Sequence, residues 1–192
     1  MEKKWKKLFF LLLGINVFII ITLCIMISLP KEDENYTPTK IETGDNVAFK
    51  MQTNKADLNQ LINHYLKKEG LTGGIDYQVI LNEDVELLGS IPIFSQNIQL
   101  KLSFEPTALD NGDIVLEQKS ISVGKLQLPV SYVLHFIKEN YKLPKWVIIQ
   151  PNEEKIYVSL KDMKLKSNIK VKVDDINLAA DDIHFTLLVP AK

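Results

Sequence analysis

Residues 98–123 read IQLKLSFEPTALDNGDIVLEQKSISV. Ile98, Leu100, Leu102 and Phe104 alternate with polar residues, the period of two expected of a strand with one buried face. Asp110-Asn111-Gly112-Asp113 separates that run from a second one, residues 114–123. An Asn-Gly pair between two such runs predicts a β-hairpin, because both residues tolerate the positive φ of a tight turn. The same pattern extends outward in both directions. Ile75, Tyr77, Val79 and Leu81 share one face, followed by Val85 and Leu87; downstream come Ile156, Val158 and Leu160, then Ile169, Val171 and Val173, then Ile183, Phe185, Leu187 and Val189. Near the start, Val47, Phe49 and Met51 alternate with Ala48, Lys50 and Gln52. Strands that are apolar on one side only and closely spaced argue for antiparallel pairing. Gly89, Pro92 and Gly124 are expected to break or bend the sheet, as bulges and barrel corners do.

Two helices interrupt the strands. Asn54 is placed to cap the first, with Asp57 three residues on, and Leu58, Leu61, Ile62, Tyr65 and Leu66 fall at the spacing of one apolar stripe. Lys67 and Lys68 suit its C-terminus, and Gly70 the left-handed position beyond it. Pro129 opens the second helix, about residues 130–140, with Val133, Phe136 and Ile137 as its stripe. Pro144 ends that region, and residues 146–149, Trp-Val-Ile-Ile, form an apolar run of the kind buried on both faces. The order strand, helix, strands, helix, strands predicts an α+β fold, a curved antiparallel β-sheet packed around one or two amphipathic helices.

Upstream, residues 8–29 carry no charge and follow Lys3, Lys4, Lys6 and Lys7. As a helix these 22 residues span about 33 Å, close to the hydrocarbon thickness of a bilayer. Lysines before the run and Lys31, Glu32, Asp33 and Glu34 after it predict a single-pass cell-membrane protein, N-terminus cytoplasmic and C-terminal domain extracytoplasmic. A cleaved signal peptide fits less well, since the run exceeds about 15 residues and exits through Ile27-Ser28-Leu29 without a small-x-small site. A lipoprotein anchor on Cys24, the chain's one cysteine, lacks the small residue wanted before it, which is Leu23. Residues 1–7 are thus expected to form a cytoplasmic tail, 8–29 a transmembrane anchor, 30–45 a stalk and 46–192 the extracytoplasmic domain.

Chemistry is sparse. The net charge is −1 and the exported part is net negative, so no basic footprint for nucleic acid is expected. His64, His135 and His184 are not at metal-ligand spacing, and Asp174-Asp175 and Asp181-Asp182 read as turn residues. Ser90 lacks a nucleophile elbow, and Gly73-Gly74 is too short for a phosphate loop. Catalytic, cofactor and metal residues are therefore expected to be none. The lysines at 164, 166, 170 and 172 read as the solvated face of a half-buried strand, with an anionic membrane or wall polymer as the functional alternative.

The one-sided strands offer more apolar surface than two short helices can cover. A sheet that curls over a cavity is one solution and a solid core is the other. On the first, Leu58, Leu61, Ile62, Tyr65, Leu66, Phe136 and Trp146 are expected to line an apolar groove holding a lipid or other apolar ligand. Trp146 is expected to be substantially buried, with the rim of the domain as its alternative place.

The stretches 57–66 (DLNQLINHYL), 128–134 (LPVSYVL), 141–147 (YKLPKWV) with Pro151, and 183–187 (IHFTL) resemble the YpmS family of Gram-positive bacteria, across nearly the whole chain. The resemblance implies an uncharacterised single-pass envelope protein and supplies no catalytic residues. A weaker, fold-level analogy is to YceB-like and tubular lipid-binding domains, curved sheets around a helix. Expected partners are the lipid bilayer and an apolar ligand. The rival is a structural or regulatory partner of a cell-envelope enzyme, which would show as an exposed apolar patch or bare strand edge instead of a cavity.

Overall fold

The computed structural model describes residues 2–28, 36–38, 46–68, 77–93, 96–123, 129–141, 143–163 and 165–191. Gly70, Gly73-Gly74, Ile75, Gly124, Lys164 and most of the expected stalk lie outside these. The chain divides into two compact units, Met1–Glu32 and Asp33–Lys192. The first is a helix, α1 (Glu2–Ser28), in which Lys4–Ile25 is long and apolar enough to cross a membrane, with a mean hydropathy of 2.9.

The second unit is α+β, a curled antiparallel half-barrel with its helices. Its strands are β1 (Asn46–Thr53), β2 (Tyr77–Leu81), β3 (Val85–Ile93), β4 (Gln96–Ala108), β5 (Ile114–Val123), β6 (Val147–Gln150), β7 (Lys155–Val158), β8 (Lys170–Asn177) and β9 (Asp182–Pro190). They form two sheets where the sequence suggests one: a six-stranded sheet in the order β2-β3-β4-β5-β7-β6 and a three-stranded sheet in the order β1-β9-β8. Each pairing is antiparallel.

The central hairpin is β4 and β5, joined by residues 109–113. Leu109 N–H donates to the Asp113 carbonyl at 2.8 Å and Gly112 N–H to the Leu109 carbonyl at 2.8 Å. Gly112 holds φ +87°. β4 turns Leu100, Leu102 and Phe104 into the core, and a bulge between Ser103 and Phe104 lets the long hairpin bend. Gly89 and Pro92 do not break β3, which runs through both. Pro92 lies beyond Gly89, the last residue paired with β2, so the donor it lacks is not missed in the β2 ladder.

Helix α2 (Lys55–Lys68) starts as its sequence suggests: Asp57 N–H donates to Asn54 Oδ1 at 2.8 Å and Asn54 Nδ2 to Asp57 Oδ2 at 3.0 Å. It is fixed to both sheets. Asn59 Oδ1 accepts from Leu81 N–H at 2.7 Å and its Nδ2 donates to the Leu81 carbonyl at 3.0 Å, as a neighbouring strand would on β2. Lys55 Nζ donates to the Leu178 carbonyl at 2.8 Å, and Lys55 N–H to Asp181 Oδ1 at 2.7 Å, at the β8–β9 turn. Helix α3 (Val130–Asn140) buries Val133, Leu134 and Ile137.

Two expectations need correction. The run at Trp146 is not one strand throughout: Trp146 sits half-buried in the turn before β6, an edge strand whose successive residues Ile149 and Gln150 are both buried. The lysine row is not one strand either. Lys166 starts a 3-10 turn, Lys166–Asn168, so the strand proper begins at Lys170. Alternation cannot register this, because the chain reverses at Ser167 and Asn168, both at positive φ.

The sheets meet at the hairpin turn. Val173 N–H, on the outer edge of β8, donates to the Gly112 carbonyl at 2.9 Å, and the Lys172 stem lies over Gly112 so closely that a Cβ there would stand 2.0 Å from Lys172 Cγ. Gly112→Ala is therefore expected to cost about 2–4 kcal/mol, from left-handed strain plus overpacking. Adding Lys172→Ala should recover part of the loss, and urea unfolding of the single and double variants measures both.

Candidate functional site

Of the seven residues expected to line a groove, Leu58, Ile62 and Phe136 pack against the core and Leu66 is buried. Leu61 points away. It is 63% exposed and lines a shallow open concavity with Asp57, Gln60 and His64. Tyr65 and Trp146 meet each other, ring centroids 6.0 Å apart at a tilt of 58°. Among the described residues Leu58, Ile62, Leu66 and Phe136 are thus taken up by core packing.

Exposed apolar surface of the second unit concentrates instead on the three-stranded sheet. Val47, Phe49 and Met51 are 49%, 53% and 45% exposed. Directly opposite residues of antiparallel strands share a face, so the register places Val47 beside Val189, Phe49 beside Leu187 and then Val171, and Met51 beside Phe185 and then Val173. At the other end of the same face Ile183 is buried in the core, with Ile176 beside it. One apolar face therefore begins inside the domain and runs out into solvent. Among the described residues β1 pairs with β9 alone, so its outer edge carries unpaired backbone groups.

Below the hairpin turn lies a buried polar knot. Asp113 is fully buried. Its Oδ2 accepts from Asn111 Nδ2 at 2.7 Å and from the Tyr36 hydroxyl, and its Oδ1 lies 3.5 Å from Lys161 N–H. Ser159 Oγ stands 3.3 Å from Asp113 and 2.8 Å from Asp162 Oδ2, so its single proton goes to Asp162. Tyr36 also stacks on Tyr157 at 4.4 Å. Burial, and then the Asp113 carboxylate accepting its proton, push the Tyr36 phenol up to about 12. The Asp-Asn-Gly-Asp turn marks half of this knot in the sequence. Tyr36 has no such signal, because it stands alone in a polar stretch that composition reads as a linker.

The opposite face of the three-stranded sheet gathers the acidic residues with one histidine. His184 and Asp175 are direct cross-strand partners. His184 Nε2 is 3.0 Å from Asp182, which accepts from Gln52 Nε2 at 2.6 Å, and Thr186 Oγ1 donates to Asp174 Oδ2 at 2.6 Å. The Gln52 hydrogen bond, then that of His184, lowers the Asp182 pKa. Lys50, Asp174, Asp175 and His184 of this face, together with Met51 of the other, line an open concavity. Among the described residues no group of three His, Cys, Asp or Glu side chains is arranged to hold a metal ion. His135 lies 3.4 Å from Asn152 and His64 is exposed on α2, far in sequence from either cluster.

Comparison with known proteins gives the same picture of unassigned chemistry. The profile of a family described as uncharacterized protein conserved in bacteria (DUF2140) matches residues 3–189. The chain is 35% identical over 187 residues to the uncharacterized protein YpmS of Bacillus subtilis, covering 97% of this chain and 98% of that one. No solved structure matches significantly.

The Tyr36 hydroxyl stabilises the fold only while protonated. Its pKa is raised from 10.0 to about 12, so this contribution is present below pH 10 and is lost as pH rises through 12. Tyr36→Phe leaves a buried carboxylate short of one donor and is expected to cost about 1–3 kcal/mol at neutral pH. Phenolate absorbance during alkaline titration should show the latest tyrosine step missing from the variant, and urea midpoints at neutral pH should fall. Equal midpoints would mean that Tyr36 is not tied down.

Proposed function

The chain belongs to the family of uncharacterised bacterial proteins that includes YpmS, and from that premise we propose that it is a membrane-anchored, extracytoplasmic docking module without enzymatic activity. In this reading α1 is an uncleaved anchor with its lysine-rich start in the cytoplasm, and Asp33–Lys192 lies in the cell envelope. The occupant of the docking site is an extended segment of a partner polypeptide, added as a strand to β1.

The observation that carries this is the exposed row Val47, Phe49 and Met51 on an eight-residue strand whose outer edge is unpaired among the described residues. An added strand would hydrogen-bond the bare edge and lay its own apolar side chains beside the row, the mode of strand addition. A lipid chain on the same surface would remain wet along one side, because the face is open. It would also leave the edge N–H and C=O groups of β1 unpaired. Geometry therefore favours the polypeptide over the apolar ligand expected in an interior groove.

Two measurements test the proposal. Protease added to intact protoplasts should remove the domain, and a domain cut only after lysis would reverse the orientation. A benzophenone side chain at position 47, 49 or 51 of the full-length chain in living cells should attach to an extended polypeptide segment identified by peptide mass spectrometry. Positions 48 and 50 should attach less. Adducts to lipid, or none above a control at Gln60, would overturn docking.

A further inference from the structure

β1 reads almost alike in both directions. Around Phe49 stand Ala48 and Lys50, then Val47 and Met51, then Asn46 and Gln52. Resting on the docking reading above, we propose that the strand added to β1 is β1 of a second copy of this chain, antiparallel and centred on Phe49. The joined sheet would run β8-β9-β1 and then β1-β9-β8 of the other copy.

Register decides the argument. Directly opposite residues share a face, so a pairing centred between two residues would set Val47, Phe49 and Met51 against the polar-side residues Ala48, Lys50 and Gln52. Only pairings centred on a residue keep apolar against apolar. Centring on Lys50 sets two ammonium groups opposite each other, which is destabilising. Centring on Ala48 leaves Met51 without a partner inside β1. Centring on Phe49 sets Phe49 against Phe49, Val47 against Met51, Asn46 against Gln52, and each Lys50 against Ala48. Every contact is then of like polarity or faces a methyl group, and Lys50 guards the edge against the neighbouring register.

The rest of the structure agrees with this choice of edge. The outer edge of β8 is engaged by the Gly112 carbonyl, that of β2 by the Asn59 side chain, and β6 is only four residues long. β1 is the long edge without such cover among the described residues. The second copy would extend the row Val171, Leu187, Phe49 into six apolar side chains across the joined sheet, covering the surface where exposure is now greatest. Two copies tethered to one membrane would meet at a raised effective concentration.

The test uses full-length chain in native membranes, with Cys24→Ser and single cysteines introduced along β1. Opposed Cα atoms in such a pair are about 4.5–5.5 Å apart, within disulfide reach. Under mild oxidation Phe49→Cys should give several-fold more disulfide-linked dimer than Ala48→Cys, Lys50→Cys or a Gln60→Cys control. In light scattering of the detergent-solubilised protein, Phe49→Lys should convert dimer to monomer while keeping a cooperative unfolding transition, since position 49 is half exposed. A crosslinking maximum at 48 or 50, a flat profile, or a wild-type monomer overturns the inference. A benzophenone adduct from position 49 to a different polypeptide, without homodimer, overturns it while leaving the docking reading in place. No polypeptide adduct of either kind removes both.

Discussion

The rest of the domain depends on the close approach of Gly112 to β8. This backbone contact joins the six-stranded and three-stranded sheets, with the Gly112 carbonyl taking the Val173 N–H and the Lys172 stem covering the α-carbon. It requires a residue without a Cβ at positive φ, which is why the turn reads Asn-Gly. Beneath it Asp113 gathers donors from Asn111 and Tyr36, and the Ser159 hydroxyl links the knot to Asp162. One turn thus fixes a hairpin, a sheet-to-sheet contact and the segment upstream of β1.

A buried carboxylate is costly unless hydrogen-bonded, and among the described residues no lysine side chain pairs with Asp113. Its donors, the Tyr36 hydroxyl, the Asn111 amide and the Lys161 backbone N–H, are neutral groups drawn from three places in the chain. The arrangement specifies geometry more than it adds stability. It holds Tyr36 on Tyr157 and so ties residues near the start of the second unit to the sheet.

Edges explain the distribution of apolar surface. α2 closes one end of the larger sheet by imitating a strand through Asn59, and its Leu58, Ile62 and Leu66 pack into the core. On the apolar face of the three-stranded sheet Ile183 and Val173 are buried, while Val47, Phe49 and Met51 of β1 project. An exposed row beside a free edge suits recognition by another strand better than storage of a ligand.

Local order was legible in the sequence by itself. Alternation located the strands, Asn54 and Asp57 marked the start of α2, Pro129 marked the start of α3, and residues 110–113 marked the central turn, because each is set by neighbours a few positions apart. The family, too, followed from such local stretches. The side of a strand that is buried is another matter. Val47, Phe49 and Met51 show the same alternation as Leu100, Leu102 and Phe104, yet the first set faces solvent and the second the core, since alternation reports a two-sided strand and not what lies across from it. Leu61 sits on the apolar spacing of α2 but falls outside the narrower arc that meets β2. Tyr36 and Asp113 are 77 residues apart, and Trp146 leaves the core because the chain turns before β6 begins. The division of strands into two sheets, the Tyr36 tie and the edge position of β1 among the described strands were decided by tertiary structure, because each depends on which distant segments the Gly112 contact brings together.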